Sequence, residues 1–165
     1  MARDPSAYHF IVGSMNQRSF HSFSNSGVIE TIVSDLTLPE NVIVLGLTVD
    51  STKKCLLACL HSVAPLPPFN ALVAYDLRTH RRLFQFYLPS DPDFPIFYIG
   101  YGLDVTNDVA VDFKGNTYVT NSVGNFIWKV DEDNEAAIFS RCPAFTRWAR
   151  CLRLMRTMGQ RGLFC

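Results

Sequence analysis

The sequence predicts an all-β chain built from repeated four-stranded units, and two observations carry this prediction. Short runs rich in Val, Ile, Phe and Tyr alternate with Gly, Asn and Asp along most of the chain, which is typical of β-strands joined by tight turns. No stretch before residue 142 keeps the apolar period of about 3.6 residues that marks an amphipathic helix. A parallel α/β fold is therefore disfavoured, since it needs helices between its strands.

One element, an Asp followed by a turn and a strand, occurs three times. It begins at Asp4, Asp50 and Asp112, so that 46 and 62 residues separate the repeats. Further strand-like runs follow each Asp, and this spacing is typical of a β-propeller, in which each blade is a four-stranded sheet. A β-sandwich is the structural alternative, but it does not require the repeated element. We therefore predict a partial β-propeller domain over residues 1–141, with blades at about 4–40, 41–90 and 104–141.

Three blades form an arc, because closed propellers have roughly four to eight of them. The first blade is expected to lack its innermost strand, since the chain begins only a few residues before Asp4. An arc leaves blade faces and strand edges without neighbours, and such edges favour association with other chains. Self-association through open blade edges is therefore expected.

Composition and charge exclude several classes of protein. With 165 residues, 48% of them apolar and 18% charged, the chain is too apolar to be disordered. The longest apolar run, residues 42–49, is far shorter than the roughly 18–20 residues that span a bilayer, so no transmembrane segment is expected. Residues 1–141 carry 10 basic and 15 acidic side chains, which predicts no nucleic-acid partner. The N-terminus has no signal-peptide pattern, so the default expectation is a cytoplasmic location.

Residues 142–165 form a basic tail that differs from the rest of the chain. The tail contains five Arg and no acidic residue. Trp148, Leu152 and Met155 fall at helical spacing, so a helix here would be basic and amphipathic. Two interpretations stay open: a helix that touches an anionic membrane or a partner groove, or an alternative or truncated C-terminus without a selected role.

Cys55 and Cys59 are four residues apart on a predicted strand, so they share one face with each other and with the neighbouring His61. Thiols and imidazoles are metal ligands, but a closed site usually takes four of them. We therefore predict buried or half-buried thiols rather than a metal pair. The five cysteines also show no spacing typical of a disulfide scaffold.

The run NDVAVDFKGNTYVTNS, from Asn107 to Ser122, resembles a signature of the gluconolactonase/regucalcin family of six-bladed propellers. Five further segments resemble the plant branch of that family, often described as calcium-dependent phosphotriesterase-like: Phe10–Ser14, Asn16–Ser19, Leu38–Asn41, Leu66–Ala71 and Gly124–Val130. The resemblance covers about residues 4–146. Plant relatives often carry a signal peptide, so the compartment stays open.

The resemblance implies a hydrolase of small lactones, esters or phosphotriesters that uses a divalent metal, Ca²⁺ in the intact family member, on the propeller axis. It assigns Asn107 to a metal-ligand position and Asp108 to a substrate-binding position, and it assigns no catalytic residue in this chain. The remaining ligands, a Glu, a second Asn and an Asp, would come from the innermost strand of the first blade and from later blades. When the second repeat is aligned with the third, Leu45 and Gly46 stand where Asn107 and Asp108 are. The second blade therefore supplies no ligand in their place.

Ca²⁺ takes about 6–8 oxygen ligands, and one amide oxygen cannot hold it. We therefore expect no stably bound metal and no catalysis by this chain alone. The alternative function is a non-catalytic binding or scaffold protein. The alternative interpretation of Asn107 is a strand-end residue that satisfies backbone groups.

Overall fold

The computed structural model of the protein describes residues 1–4, 8–62, 70–89, 105–131, 133 and 135–141. Within these residues the chain is all-β, with twelve strands and no helix. The described ranges accordingly contain no helix long and apolar enough to cross a membrane. The tail at residues 142–165 lies outside the described residues, so its helical spacing stays a prediction.

The twelve strands form three antiparallel sheets of four strands, and within each sheet the strands follow one another in chain order. The first sheet contains β1 (Ala2–Asp4), β2 (His9–Gly13), β3 (Ser19–Phe23) and β4 (Ile29–Ser34). The second contains β5 (Val42–Asp50), β6 (Cys55–Ser62), β7 (Asn70–Asp76) and β8 (Arg82–Tyr87). The third contains β9 (Thr106–Val111), β10 (Thr117–Asn121), β11 (Phe126–Val130) and β12 (Ala136–Arg141). Three such four-stranded meanders are the blades of a partial propeller, as the repeat predicts.

The expectation that the first sheet lacks its innermost strand is wrong. β1 pairs antiparallel with β2, so that Ala2 lies opposite Ile11 and Asp4 opposite His9. Both Ala2 and Asp4 are buried, which anchors the short strand. The repeated element starts at the Asp and carries no signal for the residues before it, yet three residues are enough for a short strand.

At two of the three repeats, the Asp closes the turn between the first and second strands of its sheet. Oδ1 of Asp50 accepts the backbone N–H groups of Thr52 and Lys53, and Oδ1 of Asp112 accepts those of Lys114 and Asn116, at 2.8–3.1 Å. A short carboxylate that bonds to backbone groups two to four residues ahead favours a turn over a continued strand. The repeated Asp that predicts the fold therefore stabilises a turn at these two positions.

The second sheet lies between the other two, because alternate side chains of its strands face opposite neighbours. The core towards the first sheet includes Ile11, Phe20, Val44, Leu56, Ala58, Leu60, Val73 and Tyr75. The core towards the third sheet includes Cys55, Leu57, Cys59, Leu72, Val109, Val119, Phe126 and Trp128. Burial on both faces explains why β6 and β7 read as nearly continuous apolar runs instead of alternating ones.

The face of the first sheet that points away from the second carries an apolar row. Phe10 pairs with Phe23, and Phe23 pairs with Ile29, so the three side chains lie side by side across β2, β3 and β4. Phe10 is 39% and Ile29 58% exposed. The expected self-association through open faces and edges stays a prediction.

Asp35, just after β4, fastens the first sheet to the second. Its Oδ2 atom accepts hydrogen bonds from the Tyr75 hydroxyl at 2.9 Å and from Arg82 Nη1 at 3.0 Å, while Oδ1 accepts the Thr37 hydroxyl and backbone N–H. Burial alone would raise the pKa of Asp35, but the hydrogen bonds from Thr37 and Tyr75 and the charge of Arg82 outweigh it and lower the pKa below the ordinary value of 3.8. Burial and the neighbouring Asp35 raise the pKa of Tyr75 far above its usual range.

We expect Asp35→Asn to lower the free energy of unfolding at pH 7 by about 1.5–3 kcal/mol, since hydrogen bonds to a charged group are lost. Because the folded pKa is depressed, this stabilisation is present above the ordinary pKa and is lost as the pH falls through the folded pKa. Urea unfolding at pH 7 and at low pH measures both effects. The difference between the two proteins should shrink on acidification.

The matched control is Asp133→Asn, because Asp133 is an exposed turn residue. Its substitution should change the stability by less than about 0.5 kcal/mol at either pH. An Asp35→Asn effect that is the same at both pH values would contradict the assigned role of the carboxylate charge.

Candidate functional site

The first strands of the three sheets lie next to one another. β5 contacts β1 on one side and β9 on the other. In a propeller the strands that meet in this way surround the central channel. Side chains on β9 are therefore placed where residues of distant sequence converge.

Asn107 and Asp108, the two residues predicted for the site, are half-buried on β9. The pairing of β9 with β10 shifts register between Val119 and Asn121, which leaves an irregularity beside Asp108. Thr120 fills this gap, since its hydroxyl accepts the Asp108 backbone N–H at 3.0 Å and lies 3.4 Å from the Asp108 carbonyl oxygen. A bulge of this kind re-aims the side chains of the bulged strand.

The two side chains differ in their hydrogen bonding. Asp108 Oδ1 accepts the backbone N–H of Val109 at 2.9 Å, so this carboxylate is fixed locally. The Asn107 side-chain amide forms no hydrogen bond with any residue in the described part of the chain. Within the described residues, a hydrogen bond therefore holds the Asp108 side chain but not the side chain of Asn107.

Gly46 on β5 lies against the backbone of Asn107 and Asp108. A Cβ atom at Gly46 would stand 2.5 Å from the Asn107 carbonyl oxygen and 2.8 Å from Asp108 Oδ1. Real Cβ atoms do not approach so closely, so a glycine is required for β5 and β9 to meet here. In the sequence Gly46 stands out only as a missing ligand, but in the structure it lets the two inner strands lie close together.

Two buried asparagines hold the chain just before Asn107. Asn70 Oδ1, from the second sheet, accepts the Thr106 N–H at 2.9 Å, and Asn121 Oδ1, from the third sheet, accepts the Val105 N–H at 3.2 Å. Asn70 is 6% and Asn121 1% exposed. Neither residue was predicted to contribute to the site; the available signal was an Asn at the first or last position of a strand, an element in which this residue type is depleted.

The predicted thiols lie on the face of β6 towards the third sheet, as their spacing indicates. Cys55 and Cys59 are both buried and free. Burial, with the nearby Asp50, raises the pKa of Cys55 to about 11, and burial together with Asp108 raises that of Cys59 well above its usual range. Since the thiolate is the reactive and metal-binding form, neither thiol is poised for chemistry near neutral pH.

The described residues do not make up a calcium site. Among them, no group of three or more His, Cys, Asp or Glu side chains is arranged to hold a metal ion. Asn107 offers one neutral amide oxygen, and the Asp108 carboxylate already accepts a backbone N–H. This is well short of the roughly 6–8 oxygen ligands of Ca²⁺, so no reaction step through a metal follows from these residues.

Solved structures similar to this chain include a β-propeller enzyme. Virginiamycin B lyase from Staphylococcus aureus matches with a TM-score of 0.58 and 12% identity, over 86% of this chain and 40% of that one. A protein of unknown function from Bacteroides caccae matches with a TM-score of 0.56 and 8% identity, over 86% of this chain and 44% of that one. At such low identities the likeness shows the fold alone, and this chain spans less than half the length of either protein.

No protein-family model and no curated protein sequence matches this chain.

Proposed function

We propose that this chain is part of a gluconolactonase/regucalcin-like propeller that hydrolyses small lactones, esters or phosphotriesters, and that the chain alone is not catalytically competent. The observation that supports this proposal is the pair Asn107 and Asp108 on the inner strand β9. A half-buried amide with no hydrogen bond in the described part of the chain stands beside a fixed carboxylate at the contact of β5 and β9.

Each residue of the pair has a limited role in this proposal. The Asn107 amide oxygen is suited to a divalent cation or to a hydrogen-bond donor, and the Asp108 carboxylate is suited to a polar group of the substrate. Together they supply one wall of a ring-shaped site. The other ligands would have to come from residues elsewhere on the ring.

A non-catalytic binding or scaffold protein is the second candidate. It is favoured by the lack, within the described ranges, of a cluster of three metal-ligating side chains, and by the burial of both described thiols. The same inner-strand face would then bind a small molecule without turning it over. The two candidates differ in their response to Ca²⁺ and to a lactone.

A calcium titration tests the proposal. We expect Ca²⁺ to raise the thermal unfolding temperature of this chain slightly and at high concentration only, because binding by few ligands is weak. Asn107→Ala should abolish this response, whereas the matched control Asn25→Ala, at an exposed turn residue, should leave it unchanged. We expect no lactone turnover by either protein.

The outcomes separate the candidates. A calcium response that survives Asn107→Ala shows that the ligand assignment is wrong. No thermal shift with Ca²⁺ and no lactone turnover together support a non-catalytic binding or scaffold protein. Lactone turnover at an enzymatic rate contradicts the statement that this chain is not competent alone.

A further inference from the structure

A polar cluster joins the second and third sheets where β6 ends and β9 begins. His61 Nδ1 lies 3.0 Å from Asn70 Oδ1, and the Thr106 backbone N–H donates to the same oxygen at 2.9 Å. The Thr106 hydroxyl also donates to the Leu60 carbonyl oxygen at 3.0 Å. Thr106 is fully buried, Asn70 nearly so, and His61 half-buried. The cluster thus belongs to the packed contact of the two sheets and directly precedes Asn107.

The donors and acceptors of this cluster determine which nitrogen of the His61 imidazole carries the proton. A backbone N–H can only donate, so the Asn70 atom that it reaches is the carbonyl oxygen, which can only accept. The His61 nitrogen at the same oxygen must therefore donate. A neutral His61 ring then carries its proton on Nδ1 and a lone pair on Nε2.

His61 lies on the side of β6 that faces the third sheet. On this strand His61 shares one face with Leu57 and Cys59, which pack in the core that also contains Val109 of β9 and Val119 of β10. Its partner Asn70 fixes the backbone of Thr106. Within the described residues, Nε2 of His61 has no hydrogen-bond partner.

The other imidazoles of the chain are placed differently. Both nitrogens of His21 are occupied, Nε2 by the Ser19 hydroxyl at 3.0 Å and Nδ1 by the Thr31 hydroxyl at 3.1 Å. His9 Nε2 lies 3.7 Å from the Asp4 carboxylate, and His80 is exposed in a turn with a φ of 59°. Half-burial, a fixed tautomer and an open nitrogen occur together only at His61 among the residues that the structure describes.

We propose that His61 is a further residue of the Asn107–Asp108 site, where its Nε2 atom accepts a hydrogen bond from a hydroxyl group of the bound molecule. The location of the site rests on the proposed function. Asn70 is the positioning residue, because one oxygen sets both the tautomer of His61 and the start of β9. With an acceptor at His61 Nε2, the site favours small molecules that carry a hydroxyl donor.

The tautomer is measured directly by long-range proton–nitrogen NMR on the ¹⁵N-labelled chain. We expect His61 to be protonated on Nδ1 and bare on Nε2. Asn70→Asp keeps the acceptor oxygen and should keep this tautomer, whereas Asn70→Leu removes it and should shift the proton towards Nε2. A proton on Nε2 in the unsubstituted chain overturns the proposal, even if Asn70→Leu fails to fold.

Contact with a ligand is tested with 4-hydroxybutanoate and, as the matched compound without a hydroxyl, butanoate. We expect the His61 Nε2 resonance to move with 4-hydroxybutanoate and not with butanoate, and His61→Phe to weaken binding of 4-hydroxybutanoate roughly two- to tenfold. Equal shifts with both compounds, or no shift with either, overturn the proposal. The calcium response of Asn107→Ala decides the proposed function separately, because it does not involve the imidazole.

Discussion

Trp128→Ala should lower the free energy of unfolding by about 3–5 kcal/mol, a large share of the roughly 5–15 kcal/mol that stabilises a typical domain. Trp128 is fully buried in the core between the second and third sheets. Its ring stands edge-on to the Phe126 ring, with 4.7 Å between the ring centroids, and its Nε1–H donates to the Pro89 carbonyl oxygen at 3.0 Å. Truncation removes both contacts and leaves a cavity at the contact of two sheets.

Urea unfolding followed by far-UV circular dichroism measures this loss. Trp128→Phe keeps most of the ring but loses the hydrogen bond, so it should cost less than the alanine variant and still fold. Phe113→Ala is the matched control, since Phe113 is 86% exposed and its loss should change the stability by less than about 0.5 kcal/mol. Equal stabilities for the Trp128 and Phe113 variants would show that the second and third sheets do not pack through Trp128.

The strands and turns of this chain could be predicted from the sequence because their determinants are local. The Asp50 and Asp112 carboxylates bond to backbone groups only two to four residues away, so the turn is encoded in one short segment. Strand-like runs were predicted after each of these turns, and the structure has strands there, such as β11 (Phe126–Val130) and β12 (Ala136–Arg141). β1 (Ala2–Asp4) was not predicted, because three residues are too few to show the alternation of apolar and polar residues that marks a strand.

The surroundings of the candidate site could not be predicted in the same way. Asn70 holds the backbone of Thr106, which is 36 residues away in sequence, and the Thr106 hydroxyl reaches Leu60 across 46 residues. Neither contact leaves a periodic trace in the sequence, because each depends on how two sheets pack. Asn107 and Asp108 were predicted by resemblance alone, and the structure adds the neighbours that hold their strand in place, such as Gly46 and Asn70.

Gly46→Ala should be the most damaging substitution at the site itself. The new Cβ would meet the backbone of Asn107 and Asp108, and unlike the end of a flexible side chain, a backbone cannot rotate out of the way. We expect β5 and β9 to be forced apart, at a cost of about 1–3 kcal/mol in the free energy of unfolding. Amide NMR resonances of residues 107 and 108 should move, because the displaced strand carries them.

Gly27→Ala separates this steric effect from the general cost of replacing a glycine. Gly27 has a φ of +83° and nothing within 4 Å of an added Cβ, so its substitution strains only the local backbone, by about 1–2 kcal/mol. Both variants therefore lose stability, but only Gly46→Ala should disturb the resonances of residues 107 and 108 and weaken the calcium response. If Gly46→Ala leaves those resonances in place, β5 does not support β9, and the site does not depend on the close approach of the two inner strands.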